Sequence, residues 1–69
     1  MADAVYKHIK VTGTSSTSIE EAVENAVARS AKNVKNMSWF QLVETRGAVK
    51  DGSVSQWQVT IEVGFRVDE

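Results

Sequence analysis

Cysteine and proline are both absent from this 69-residue chain, and histidine occurs once, as His8. The lack of cysteine excludes disulfides, thiolate zinc sites and iron–sulfur clusters, and a single imidazole excludes a histidine-rich metal site. A chain this short buries only about 60% of the surface that its unfolded form exposes, so small domains usually need a further source of stability, such as disulfides, a bound metal or oligomerisation. Since disulfides and metal clusters are excluded, the composition predicts that self-association stabilises the fold.

The chain also has no large excess of positive or negative charge, since the formal net charge is −1 and the sequence pI is about 5.8. This balance gives no electrostatic reason to expect nucleic acid or an anionic membrane as a partner. No apolar run approaches the ~20 residues that span a bilayer. The first ten residues carry Asp3, Lys7 and Lys10, which argues against a signal peptide. We therefore expect one domain over residues 1–69, located in the cytoplasm.

Alternation of apolar and polar residues predicts three strands. The first covers Ala4–Thr12, the second Trp39–Val49 and the third about Val54–Val67. Asp51-Gly52 separates the last two strands and is typical of a tight hairpin turn.

A helix is predicted between the first two strands. Ser18 and Glu21 match the S-x-x-E capping box, although Ser15 or Ser16 could cap instead. An apolar stripe at helical spacing runs from Ile19 to Val34, and Asn36 is a candidate left-handed C-cap.

The order β-α-β-β predicts an α+β fold with a three-stranded antiparallel sheet of strand order 1-3-2. The most apolar strand is then central, and the helix packs on one face of the sheet. Strand parity predicts which residues face the helix, and Trp57 is expected to be part of this core. The predicted residues of the covered face are Val5, Ile9, Val11, Phe40, Leu42, Trp57, Val59, Ile61, Val63 and Phe65.

The other face of the sheet has no helix to cover it, and we call it the open face. A tryptophan and a tyrosine among amide side chains indicate a partner or a flat ligand there. Trp39 could be an oligomer contact or a stacking platform, and Gln58 offers a donor and an acceptor to a ring edge. His8 is expected on this face as a surface or interface residue. The predicted members are Tyr6, Trp39, Gln41, Val43, Gln58 and Thr60.

Catalytic chemistry has little support in the residue inventory. Gly13-Thr14-Ser15 precedes the helix but lacks the Gly-x-x-x-x-Gly-Lys pattern of a phosphate loop. The carboxylates Glu20, Glu21 and Glu24 fit the solvated first turns of a helix, where they favour its dipole. The sequence therefore predicts a protein that is not an enzyme.

Several segments resemble the dodecin family, and the resemblance extends from Tyr6 to Val67. They are Val-Thr-Gly-Thr-Ser (11–15), Ser-Trp-Phe (38–40), Glu-Thr-Arg-Gly (44–47) and Trp-Gln-Val-Thr-Ile-Glu-Val-Gly-Phe-Arg (57–66).

The resemblance implies a hollow homododecamer of cubic 23 symmetry that binds flavins such as FMN or riboflavin. In this family a tryptophan, matched by Trp39, stacks on the isoalloxazine ring, and two flavins lie between symmetry-related tryptophans. A glutamine matched by Gln58 bonds the pyrimidine edge, and an arginine matched by Arg46 lies near the flavin tail. Strand parity puts Arg46 opposite Trp39, so a bulge or the loop must redirect it. The implied role is flavin storage, buffering and photoprotection.

Some bacterial members of this family also bind coenzyme A through basic residues near threefold contacts. Matching positions here are Arg29, Asn33, Lys35 and Arg66, but Asp3-Ala4 stands where those members tend to be basic. A solvated helix face explains Arg29 and Lys35 equally well.

Three alternatives to flavin storage stay open at the level of sequence. The chain could be a structural or protein-interaction module whose Trp39 face binds protein, a coenzyme A-binding oligomer, or a subunit of a flavoenzyme. A yellow purified protein with a flavin absorbance band would separate storage from a purely structural role.

Overall fold

A computed structural model describes residues 3–67 and confirms the predicted order of elements. Strand β1 covers Tyr6–Ser15, helix α1 Ile19–Ser30, strand β2 Met37–Lys50 and strand β3 Ser53–Arg66. The strands form one antiparallel sheet in the order β1-β3-β2, as predicted. Strands β1 and β2 are longer than the alternation indicated, because β1 continues to Ser15 and β2 begins at Met37. Strand β3 has the predicted length and begins one residue earlier, at Ser53.

Helix α1 begins at its predicted cap and ends earlier than predicted. The Ser18 side chain accepts a hydrogen bond from the Glu21 N–H at 3.0 Å. The Glu21 carboxylate accepts from the Ser15 hydroxyl, so Ser15 supports the cap from the end of β1. After Ser30 the chain tightens into i→i−3 hydrogen bonds, which stop the helix before Val34.

Asn36 is left-handed, with φ 64°, but it does not cap the helix. It lies directly before β2, and its carbonyl accepts from the Arg66 N–H at 3.0 Å. The left-handed residue therefore turns the chain into β2. At the hairpin, Asp51 and Gly52 have φ 53° and 77°, as the Asp-Gly turn predicts.

The core lies between α1 and the β1–β3 pair. Its buried residues are Ala22, Ala26, Val59, Ile61 and Val63. Small residues bring the helix close, since a Cβ added to Gly13 would lie 2.1 Å from the Ala22 carbonyl oxygen.

The helix covers less of the sheet than predicted. Phe40 is 51% exposed and Leu42 50%, and Val5 is exposed as well, so their assignment to the covered core was wrong. A helix about 10 Å wide spans roughly two strands at about 4.8 Å spacing, and α1 lies over β1 and β3. An apolar groove of about 480 Å³ is left between α1 and β2, lined by Ile19, Glu20, Val23, Glu24, Val27, Phe40 and Leu42.

Trp57 was also predicted to be core, and the structure corrects this. It is half-buried and lies outside the core cluster of the described residues. Trp57 pairs with Ser15, the last residue of β1, and lines a cavity of about 210 Å³ beside Ile19. The helix begins at Ile19, so Trp57 stands at the rim of the core.

Beyond Trp57, residues 48–56 form a two-stranded hairpin arm. Strand β1 does not extend to these residues, and Val49 and Val54 are exposed there. The molecule measures 57 × 20 × 13 Å, and its fourteen-residue strands extend well beyond the twelve-residue helix.

Candidate ligand-binding face

Trp39 lies on the open face, as strand parity predicted, and it is 41% exposed. It pairs with Gly64 on the central strand, which pairs with His8 on β1. A Cβ added to Gly64 would lie 2.2 Å from Trp39 Cε2 and 2.3 Å from Cζ2, so the indole lies directly against the β3 backbone. Glycine in a strand interior is typical of such a close approach.

Two further rings hold the indole on its β1 side. The Tyr6 ring centroid lies 4.9 Å from that of Trp39 in a tilted arrangement, and the His8 centroid lies 5.6 Å away, edge-on. His8 Nδ1 is 3.2 Å from Glu62 Oε1, which ties the imidazole to the central strand. Aromatic pairs at these separations are stabilising beyond their buried area. The three rings thus form an aromatic platform of Tyr6, His8 and Trp39.

Arg46 is brought to the open face by an irregularity in β2. The register of β2 against β3 shifts between Leu42 and Glu44, so that Val43 is the extra residue. Such a bulge exchanges the two faces for every residue that follows. Arg46 therefore pairs with Gln58 on the open face, while Thr45 turns to the covered face opposite Val59. Of the two devices that could redirect Arg46, a bulge or the loop, the structure shows the bulge. Simple alternation from Trp39 would put Thr45 on the open face, and it fails after Val43.

Arg46 and Gln58 make direct contact there. Arg46 Nε donates to Gln58 Oε1 at 2.8 Å, and Gln58 Nε2 donates to Gln56 Oε1 at 2.7 Å. Arg46 also approaches Glu44 at 3.8 Å, an exposed ion pair that contributes little. The three side chains form a polar row, Arg46–Gln58–Gln56, across the open face.

The structure does not bring Trp39 next to this row within one chain. Trp39 pairs with Gly64, which lies six residues from Gln58 along β3, or about 20 Å at the usual rise of a strand. The indole also leans toward Tyr6 and His8 rather than along β3. A flat ligand centred on Trp39 can therefore contact Arg46 or Gln58 only from another copy of the chain.

The residues implied for coenzyme A lie at two places. Arg29 lines a cavity of about 230 Å³ beside residues 11–14 of β1, with Asn25 and Ser30. Arg66 pairs with Tyr6 near the other end of β1, and its N–H bonds Asn36, the neighbour of Lys35. Asn33 is exposed in the turn that follows the helix.

Among residues 3–67, no group of three or more histidine or acidic side chains could hold a metal ion. No helix in this described part of the chain is long and apolar enough to cross a membrane.

Sequence reasoning missed Gly64 and Gln56 as parts of the open-face site. A glycine inside an alternating strand is a signal of close approach that could have found Gly64. Gln56 carries no such signal, since its contact with Gln58 depends on side-chain rotamers.

These features define a class of protein, a single-helix α+β subunit whose open sheet face carries an aromatic platform and a row of polar side chains. The Dodecin family model matches residues 5–68, and the chain belongs to the dodecin family. The resemblance found in the sequence is thereby confirmed.

Individual relatives cover nearly the whole chain. The dodecin of Thermus thermophilus is 40% identical over 65 residues, 94% of each chain. The calcium dodecin of Mycobacterium tuberculosis is 33% identical over 64 residues, 93% of this chain and 90% of that one. The solved structure of dodecin from Streptomyces coelicolor matches with a TM-score of 0.94 at 38% identity, covering 100% of this chain and 99% of that chain.

Proposed function

We propose that this protein is a non-enzymatic flavin-binding protein, a homododecamer that stores and buffers FMN or riboflavin and limits flavin photochemistry. The observation that carries the proposal is the indole of Trp39, which lies on Gly64 on a sheet face that the helix does not cover. Membership of the dodecin family supports it.

Trp39 suits a planar ring. A partly exposed indole supported by backbone on one side offers its free surface for stacking on a flat aromatic ligand. Tyr6 and His8 contact Trp39 and restrict its rotation, so little side-chain entropy is lost when a ligand stacks.

Gln58 suits the polar edge of the same ring. Its amide carries both donors and acceptors, as an edge with alternating carbonyl and N–H groups requires. Arg46, bonded to Gln58, places a permanent positive charge at that end of the face. This charge favours a phosphate-bearing tail, as in FMN.

The separation of Trp39 and Gln58 supports an assembled site. Because about 20 Å of strand lies between their levels, one ring needs Trp39 from one copy and Gln58 from another. This agrees with a family arrangement in which flavins lie between symmetry-related tryptophans. Assembly would also cover the apolar groove and the hairpin arm.

A storage role is favoured over catalysis by the side chains themselves. No cysteine exists, and the one histidine is bonded to Glu62 at the edge of the aromatic platform. The chain offers few groups that could serve as a nucleophile or as an acid–base pair at a bound flavin.

A riboflavin fluorescence titration tests the proposal. The assembled protein should bind riboflavin and quench its emission, and Gln58→Ala should weaken binding by about 1–3 kcal/mol because ring polar groups lose their partner. Asn25→Ala is the matched control, since it removes an amide hydrogen bond to Thr14 on the helix side. Absence of riboflavin binding would refute the function, and unchanged affinity in Gln58→Ala would refute the role of Gln58.

A further inference from the structure

The polar row on the open face has a defined direction, because its first member can only donate. The guanidinium of arginine carries N–H groups and no acceptor. The Gln58 atom 2.8 Å from Arg46 Nε is therefore the carbonyl oxygen Oε1, and the amide nitrogen Nε2 points the other way. Nε2 can only donate, so the Gln56 atom 2.7 Å from it is the acceptor Oε1.

The orientation of the Gln58 amide determines which of its hydrogen-bonding groups are available to a ligand. A glutamine amide has two N–H hydrogens and two lone pairs. Arg46 takes one lone pair, and Gln56 takes one hydrogen. One donor and one acceptor are left on the same amide group, which can complement an imide or lactam edge with adjacent N–H and C=O groups.

Arg46 alone is a weak anchor for this orientation. Its side chain is largely exposed and also approaches Glu44, so a single bond at Oε1 lets the amide plane rotate. Gln56 is two residues from Gln58 on the same face of β3, pairs with Ala48, and is half-buried. A second bond at the opposite atom of the amide stops the rotation.

We propose that Gln56 is a positioning residue that holds the Gln58 amide in the orientation set by Arg46, so that the site selects ligands with an imide edge. The inference rests on the proposed flavin function and names the part of the flavin that is read. Gln56 does not touch the ligand but acts through Gln58.

The test compares two ligands and two substitutions in the assembled protein. Riboflavin has the imide N–H, whereas N3-methylriboflavin lacks it and keeps the ring. Gln56→Ala removes the acceptor. Gln56→Glu retains an acceptor and cannot donate, so it should preserve the orientation. Ser55→Ala is the control, since it removes a hydrogen bond to the Ala48 carbonyl at the same level of the hairpin.

We expect Gln56→Ala to weaken riboflavin binding roughly threefold to tenfold, the loss that follows from one disordered neutral hydrogen bond. N3-methylriboflavin affinity should stay nearly constant, so the preference for riboflavin falls. Gln56→Glu and Ser55→Ala should keep the preference. If Gln56→Ala does not assemble, Gln56→Met, which has similar length and no amide, takes its place.

An unchanged preference in Gln56→Ala would overturn the inference, and so would an equal loss in Gln56→Glu. If the wild-type protein binds riboflavin and Gln58→Ala weakens it, either result refutes the role of Gln56 alone. If the wild-type protein does not bind riboflavin, the proposed function fails together with the inference.

Discussion

Trp39 can lie against strand β3 because Gly64 has no side chain. The indole occupies the space above β3 that a Cβ at residue 64 would fill. Tyr6 and His8 close the β1 side of the ring. The geometry of the platform therefore depends on a glycine as much as on the three rings.

Trp39→Ala should weaken flavin binding by about 1–3 kcal/mol, by analogy with the stacking of nucleic-acid bases on aromatic side chains. The oligomer should stay largely intact, because Trp39 lies outside the core cluster of the described residues. Flavin fluorescence should also be quenched less, since the stacked electron donor is gone. Flavin titration and size-exclusion chromatography check both results. Dissociation of the particle would show that Trp39 is an assembly contact.

Gly64→Ala should mimic part of this effect without removing the indole. The new methyl group would overlap Trp39 Cε2, and the ring must move because the backbone of a central strand cannot. We expect weaker flavin binding and a changed tryptophan emission spectrum, with the sheet signal in circular dichroism retained. Wild-type affinity in this variant would mean that the indole position does not matter for the ligand.

At the scale of elements, the helix and the sheet do not match in size. Twelve helical residues extend about 18 Å, whereas fourteen strand residues extend about 46 Å. The helix packs closely at Gly13 and Ala22 and therefore lies over β1 and β3. This placement leaves Phe40, Leu42 and the hairpin arm without cover from their own chain.

Trp57→Ala tests where the core ends. Trp57 is half-buried beside a cavity at the start of the helix. Its removal should lower the free energy of unfolding by about 1–3 kcal/mol, less than the ~3–5 kcal/mol typical of a buried aromatic residue.

Ile61→Ala serves as the reference for Trp57→Ala, because Ile61 is fully buried and should cost about 2–5 kcal/mol. Urea unfolding monitored by circular dichroism measures both variants. A larger loss of unfolding free energy for Trp57→Ala than for Ile61→Ala would contradict this prediction. It would mean that Trp57 is buried by contacts between subunits in the assembly.

At the scale of the whole molecule, one chain cannot bury its own apolar surface. Among residues 3–67, five make up the buried core, while a groove of about 480 Å³ stays open beside Phe40 and Leu42. Val49 and Val54 are exposed on a two-stranded arm, and an isolated hairpin is marginally stable in water. These surfaces need a partner, and further copies of the chain offer the same apolar surfaces in return.

We expect a particle of about twelve times the 7.6 kDa subunit mass, because the burial and entropy terms of so small a chain nearly cancel. Its thermal stability should rise with protein concentration. Native mass spectrometry at micromolar protein measures the mass, and a monomer or dimer under these conditions would contradict the prediction.

The sequence alone determined the order of elements and the two faces of most of the sheet. Alternation has a period of two in a strand, so the sequence pattern alone places Trp39 and Gln58 on one face of the sheet and Val59 and Ile61 on the other. The Asp-Gly turn and the Ser18 cap were predictable because both are local, depending on a few adjacent residues.

The tertiary structure decided what depends on contacts between distant residues. The bulge at Val43 reverses the faces along the rest of β2, and no local pattern marks it, so the contact between Arg46 and Gln58 emerges only when β2 is registered against β3. The helix leaves Phe40 open because its approach to the sheet is set at Gly13, far away in sequence. A periodic pattern assigns a residue to a face, but only packing decides which part of that face is covered.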